Sequence, residues 1–340
     1  MQETNALTQL LVKLTCVLKI GHLIGHRNLT LAPLFGASPA VDYLLGQDAI
    51  EDGLLTVKEV SDSGIVNVLL VENKAGKPVL LLDGEELVGA KQNRILNTTI
   101  LIDARTTQKI PVSCVEQGRW RHASEKFSVG TYAPPEMRNR KCKRVSASYR
   151  ECGQPLSDQG EVWQDVERVV SSMKAKTATR AMKDAFDQRA ADLGGFVKAL
   201  PYPDGARGVI AAVSGHFAAM DVLDKPETFQ RVWNRLLGGY AVDAVRLREW
   251  DNKPFSEKSA QFILDSMAEC RVSEFKAVGL GNELRFESNL MVGQALVADD
   301  MLIHLSIFPN ASDSRNEQSE GRPIMPPSLR RRWRRPQGEE

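Results

Sequence analysis

The sequence predicts an α+β protein: a β-rich N-terminal half, as antiparallel sheet or sandwich, packed with a mixed helix and strand C-terminal half and followed by a disordered tail. Three observations carry this. Short runs rich in Val, Ile, Leu and Thr crowd the stretch from Asn28 to Cys114, with turn signals between them, the pattern of antiparallel strands. After residue 158, apolar residues recur at helical spacing before strand-like runs return. Beyond Phe308 the composition shifts to Pro, Ser, Asn, Gln, Gly and Arg, too poor in apolar side chains to offset the entropy of ordering.

The N-terminal stretch Leu7 to Ile24 is apolar but interrupted by Lys13 and Lys19, which suits neither a signal peptide nor a membrane span. Leu7, Leu10, Leu11, Leu14, Val17 and Leu18 fall at helical spacing, so an amphipathic helix docked on the body is expected, with no membrane partner. The strand runs are NLTLAPLF, GLLTVKEV, IVNVLLVE, PVLLLD and TILID. Ser61–Gly64, Asn73–Gly76 and Asp83-Gly84 supply the turns, Gly tolerating the positive φ a tight turn needs. Residues 118–158 read as a long polar excursion holding Pro134-Pro135 and the basic run Arg138, Arg140, Lys141, Lys143 and Arg144.

Helices follow. Val162, Trp163, Val166, Val169, Val170 and Met173 form one stripe. A second helix is expected from Thr177 to about Leu193, stopped by Gly194-Gly195. GVIAAVSGHFAAMDVL returns to strand, and Pro226 then opens a helix with the stripe Phe229, Val232, Trp233, Leu236, Leu237 and Tyr240. Gly238-Gly239 weakens that helix by roughly 1 kcal/mol per Gly relative to Ala, which predicts a break or a close contact. A helix from Ser256 to Cys270 and closing strands complete the globular part. The resulting division is 1–27 lead-in helix, 28–158 β-rich half, 159–308 mixed half and 309–340 tail.

Composition narrows the function. At 340 residues the chain fits one large or two modest domains. A net charge of +1 argues against nucleic-acid binding driven by bulk charge, leaving only a weak local contribution from Arg330–Arg335 in the tail. The five cysteines are odd in number, widely spaced and without a CxxC pair, which speaks against a disulfide framework and for a reducing cytoplasm. His22, His26, His122, His216 and His304 show no HxH or HExxH spacing, so no metal site is expected; His304, in an apolar strand, reads as a core histidine. No strand–GxGxxG–helix unit and no GxxxxGK[ST] loop occurs.

The stretch Pro78–Trp120 is the one that reads most like a site. Apolar runs there alternate with Asp83, Glu85, Glu86, Lys91, Gln92, Asn93, Arg94, Glu116, Arg119 and Trp120. Lys91 and Arg94 suit a phosphate, Arg through its fork of donors. Gln92 and Asn93 suit a ribose or base edge, and Glu85 or Glu86 a hydroxyl, metal or proton-transfer role. Strand alternation would put Lys91 and Asn93 on one face and Gln92 and Arg94 on the other, so one flat strand cannot converge all four. Cys114 is a candidate nucleophile if a base lowers its pKa, or a buried strand residue in period two with Val112. Glu116, Arg119 and Trp120 suit an ion-pairing and stacking rim.

Taken together, NLTLAPLF, LLLDGEELVGAKQNR, IPVSCVEQGRW, the Gln159 to Trp163 helix start, MDVLDKPETFQRVWNRLL and the final HLSIF block resemble the ADP-ribosylglycohydrolase- and rhodanese-phosphatase-associated protein domain family. The resemblance spans about Asn28 to Phe308. It implies proximity to NAD-derived or ADP-ribose chemistry and transfers no catalytic residue or cofactor. The expected function is binding, with or without processing, of a nucleotide-like or ADP-ribose-like small molecule; the alternative is a non-enzymatic interaction or scaffold protein.

Overall fold

The computed structural model describes residues 2–37, 41–61, 63–247 and 254–310. The tail beyond residue 310, with Arg330–Arg335, lies outside the described residues. The lead-in helix α1 (Gln2–Thr15) is followed by β1 (Lys19–Ile20), β2 (Ile24–His26), β3 (Leu29–Phe35), β4 (Leu44–Leu45), the short α2 (Gly46–Glu51), β5 (Leu55–Glu59), β6 (Val68–Asn73) and β7 (Val79–Leu81). Next come β8 (Glu85–Gly89), β9 (Arg94–Leu96), β10 (Ile100–Ile102), β11 (Thr107–Cys114) and β12 (Phe127–Tyr132). The helices α3 (Pro135–Cys152), α4 (Gln159–Ser172), α5 (Met182–Gln188) and α6 (Ala190–Ala199) precede the hairpin β13 (Gly208–Val213) and β14 (His216–Leu223). The chain closes with α7 (Pro226–Arg246), α8 (Glu257–Asp265), β15 (Arg271–Lys276), β16 (Asn282–Glu287), β17 (Met291–Ala298) and β18 (Met301–Pro309).

A nine-stranded antiparallel sheet runs β1-β3-β13-β14-β18-β17-β16-β15, with β2 also on β3. Because β3 from the N-terminal half pairs with β13, the two halves of the chain share this sheet. Side-chain alternation gives it two working faces. On β13, Ile210 and Ala212 join Leu34 of β3 and Leu11 of α1 in one core. Val209, Ala211 and Val213 point the other way, into a core with Leu31 of β3 and with α4, α6 and α7. A six-stranded sheet, β12-β8-β9-β11-β6-β5, and a small sheet, β10-β7-β4, enclose a third core around Leu69, Val71, Leu81, Leu87 and Ile110. The β4–β7 pair is parallel. Among the described residues no helix is long and apolar enough to cross a membrane.

Three local expectations need correction. Residues 118–158 are not an irregular excursion: they contain β12 and the 18-residue α3, which starts on Pro135 and ends at Gly153 in the left-handed conformation, φ 67°. The basic run placed in that excursion is partly core, with Arg138 at 0% and Lys141 at 1% exposure. Both are paired: Arg138 bonds Asp221 of β14, and Lys141 bonds Asp83. Second, the helix expected from Thr177 to Leu193 is divided at Arg189 into α5 and α6. Gly194-Gly195 does not stop α6; burial of Leu193 and Phe196 outweighs glycine's poor propensity, as tertiary packing usually does. Third, β18 runs to Pro309, one residue into the stretch expected to be disordered.

Gly238-Gly239 leaves α7 unbroken and marks a close approach. A Cβ at Gly239 would lie 2.9 Å from the Tyr132 carbonyl oxygen, whereas one at Gly238 would meet nothing within 4 Å. Gly238→Ala should therefore raise stability by up to about 1 kcal/mol, the helix propensity difference. Gly239→Ala should lower it, because the obstacle is backbone. Urea unfolding of both variants checks the contrast; equal and positive shifts would contradict the close approach.

Candidate functional site

The hairpin β8–β9 turns through residues 90–93 beside the end of β11. Gly89 (φ 133°) and Ala90 (φ 39°) reverse the chain in conformations that L-residues seldom adopt. Lys91, Gln92 and Asn93 thus sit on a turn rather than a flat strand, and strict alternation does not separate them. The turn and Arg94 are buried, with exposures of 8% for Lys91, 4% for Gln92 and Asn93, and 0% for Arg94.

Glu116 and Arg119 clamp the turn. Arg119 Nε and Nη2 donate to the two Glu116 carboxylate oxygens at 2.9 and 2.6 Å, a bidentate pair. Its other bonds go to Ala90 O, Arg121 O, Gly89 O and Asn93 Oδ1. Glu116 also accepts from the Asn93 N–H and the Thr179 hydroxyl. Burial pushes the Glu116 carboxyl up, but its bonds from Arg119 and Asn93 outweigh that and hold it low. Gln92 Nε2 donates to Glu116 O at 2.8 Å, and Asn93 ties Gly89 N to Glu86 Oε1. The Gln159 side chain at the start of α4 bonds both backbone groups of Cys114.

Alternation along β8 sends its two carboxylates apart. Glu86 faces the turn, while Glu85 pairs with Arg235 of α7 at 2.7 Å and accepts from Leu82 N. Burial raises the Glu86 carboxyl to about 7 against the opposing bonds from Thr131 and Asn93, so it can take or release a proton near neutrality. Asp83 lies elsewhere, paired to Lys141.

Arg94 is left with unspent capacity. Its Nη1 donates to Gln92 O at 2.9 Å, but Nε and Nη2 have no hydrogen-bond acceptor. The carboxylate facing it, Glu59, stands 3.7 Å from Nη2. Burial lowers the Arg94 pKa, against the pull of Cys114 and Glu59. Trp120, 46% exposed, covers the spot: its ring centroid is 5.4 Å from Lys91 Nζ and 5.8 Å from Arg94 Cζ. Gly64 packs on this assembly, a Cβ there falling 3.3 Å from Glu59, Lys91 and Trp120 alike. Ile65 beside it is 44% exposed.

Cys114 fits the buried strand reading. Burial pushes its thiol up, and it donates to Gln92 Oε1 at 3.1 Å as a neutral group. His304 is a core histidine at 3% exposure, with Thr99 at 2.6 Å from Nδ1 and Ser306 at 3.3 Å from Nε2. Of the residues picked from the sequence, the structure gathers Glu86, Lys91, Gln92, Asn93, Arg94, Glu116, Arg119 and Trp120, and separates Asp83 and Glu85 from them. Sequence reading missed Glu59, Thr131 and Thr179. Only Glu59 had a signal, its place just before the Ser61–Gly64 turn.

The family model of the ARG and Rhodanese-Phosphatase-superfamily-associated Protein domain matches residues 17–308. No curated protein and no solved structure matches the chain.

Proposed function

The chain belongs to the ARG and Rhodanese-Phosphatase-superfamily-associated Protein domain family, and from that premise we propose that it binds a phosphate-bearing, nucleotide-like small molecule of the ADP-ribose class beneath Trp120. The observation that carries the reading is Arg94: a fully buried guanidinium with two nitrogens lacking acceptors. A buried polar group without a partner costs about 1–3 kcal/mol, more when charged, which an anionic oxygen would recover. The local charge agrees. Lys91, Arg94 and Arg119 face Glu59 and Glu116; Glu59 accepts from the Lys91 backbone N–H, but among the described residues no carboxylate pairs with the Lys91 ammonium.

In this reading Lys91 and Arg94 meet the phosphate, and the half-exposed Trp120 indole stacks on a base after swinging aside to admit the ligand. Gln92, Asn93, Glu116 and Arg119 hold the turn in shape, since their bonds run within the protein. Glu86 is the group to carry a proton if the bound molecule is processed. The family name supports the ligand class by pointing to enzymes of ADP-ribose and phosphate chemistry.

Calorimetric titration with ADP-ribose tests this. Arg94→Ala should weaken binding by roughly 1.5–3 kcal/mol, the scale of a charge-assisted hydrogen bond. Lys91→Ala, which removes no ion pair, should weaken it in the same direction without loss of folding. Unchanged affinity in both variants would remove the site from this turn, and absence of binding by the wild type would remove the ligand class.

A further inference from the structure

A second basic site lies on the far strands of the large sheet. A cleft of about 120 Å³ opens between α3 and the β15–β16 hairpin, well above the roughly 10–15 Å³ that admits one water. It shares no residue with the Trp120 region. Cross-strand register explains its walls: Arg271 opposes Glu287, and Ser273 opposes Arg285, so these side chains share one face of the hairpin. That face meets Ser146 and Arg150 of α3. Opposite alternation sends Val272 and Phe286 into the core below.

The charges there are unevenly spent. Arg150 pairs with Glu287 at 3.0 Å. Arg285, 3% exposed, pairs with Glu283 at 2.8 Å, donates to Thr98 at 3.1 Å and lies over the Tyr149 ring. Its Nε still has no acceptor. Among the described residues Arg271 has no ion-pair partner and the Ser273 hydroxyl no hydrogen bond, although both line the cleft. Arg271, Ser273 and Arg285 line one space larger than a water, and the Arg271 guanidinium, the Ser273 hydroxyl and the Arg285 Nε are left without acceptors among the described residues, while the Glu287 carboxylate beside them is already paired with Arg150. A tetrahedral oxyanion offers acceptors in several directions at once and matches the fixed fork of arginine.

We infer that this cleft is a phosphate-binding site, with Arg271, Ser273 and Arg285 as its donors. Its ligand is inorganic phosphate or the terminal phosphate of a small ester, and it is independent of the nucleotide-like ligand proposed above.

Titration with inorganic phosphate at low ionic strength decides it, followed by calorimetry or by phosphorus NMR line width. Arg271→Ala should weaken binding at least tenfold, and Ser273→Ala at least threefold, with melting temperatures unchanged because Arg271 is exposed. Lys109→Ala, at an exposed lysine that lines neither region, should bind phosphate as the wild type does, and Lys91→Ala titrated in parallel reports any phosphate held beneath Trp120. Glucose 1-phosphate run in parallel distinguishes an ester site from one closed to all but the free ion. Equal phosphate affinity in wild type and Arg271→Ala would overturn the inference. So would loss of phosphate binding in Lys91→Ala alone, or no binding by the wild type at tens of millimolar.

Discussion

Arg138→Ala should destabilise the protein by about 3–5 kcal/mol, the scale seen when one partner of a buried ion pair is removed and the other charge is stranded. The side chain is fully buried and grips Asp221 with two bonds, Nη1 to Oδ2 at 2.9 Å and Nη2 to Oδ1 at 2.6 Å. Asp221 also accepts from Ser306 and Tyr240. Arg138 further packs over the Tyr132 and Phe308 rings, at 4.9 and 5.1 Å, and approaches Asp83. Alanine would therefore lose packing as well as charge. A shift in urea midpoint measures the effect, and a cost under about 1 kcal/mol would mean that water reaches Asp221 in the variant.

The same pair sets an acid sensitivity. Burial alone would push the Asp221 carboxyl up, but Arg138 and then His304 outweigh it and hold it far below the usual carboxylate range. A depressed native pKa contributes stability above the unfolded value, about 3.9 for Asp, and that stability drains away as pH falls below it. Asp83 adds in the same direction: burial is outweighed by Lys141 and Arg138. The wild type should thus lose stability steeply below about pH 4, and Arg138→Ala should flatten that slope.

These charges explain what the sequence concealed. Strand positions were readable wherever burial produced apolar runs: Leu29–Phe35, Leu55–Glu59, Val79–Leu81 and Ile100–Ile102 lie within the runs picked from composition, and Val68–Asn73 overruns its run by Asn73 alone. The helix α3 was not readable, because its inner face carries Arg138 and Lys141, and hydropathy scores a paired buried charge as solvent-facing. Its partners Asp83 and Asp221 lie 55 and more residues away, a separation no local pattern encodes. The polar turn at Lys91–Arg94 was legible as a site candidate because charged residues interrupted apolar strands. Which of them kept free donors was not, since that depends on Glu59 and on the Glu116–Arg119 clamp arriving from other strands. Glu85 and Glu86 show the gain from structure most directly: adjacent in sequence and alike in chemistry, they face different partners because β8 alternates.

Trp233→Ala should cost about 3–5 kcal/mol, the range for removing a large buried aromatic side chain. The indole is 1% exposed on α7, at the centre of the stripe Phe229, Val232, Leu236, Leu237 and Tyr240. It meets Phe229 edge-on at 5.5 Å and Tyr202 at 6.1 Å, the geometry that ring quadrupoles favour. Its Nε1 donates to Leu200 O at 3.0 Å, and Leu200 is the C-terminal cap of α6, where carbonyls lack intrahelical partners. The one side chain therefore fills the core between α6 and α7 and satisfies the end of α6. Trp233→Phe separates the two contributions. It keeps most of the packing and strands one carbonyl, so its cost should be nearer 1–3 kcal/mol, the penalty of about one unsatisfied buried group. Both costs are read from urea unfolding at fixed pH. If phenylalanine proved as damaging as alanine, the hydrogen bond to Leu200 rather than core volume would be what holds α6 against α7. If neither substitution cost more than about 1 kcal/mol, the indole would not be in the core at all.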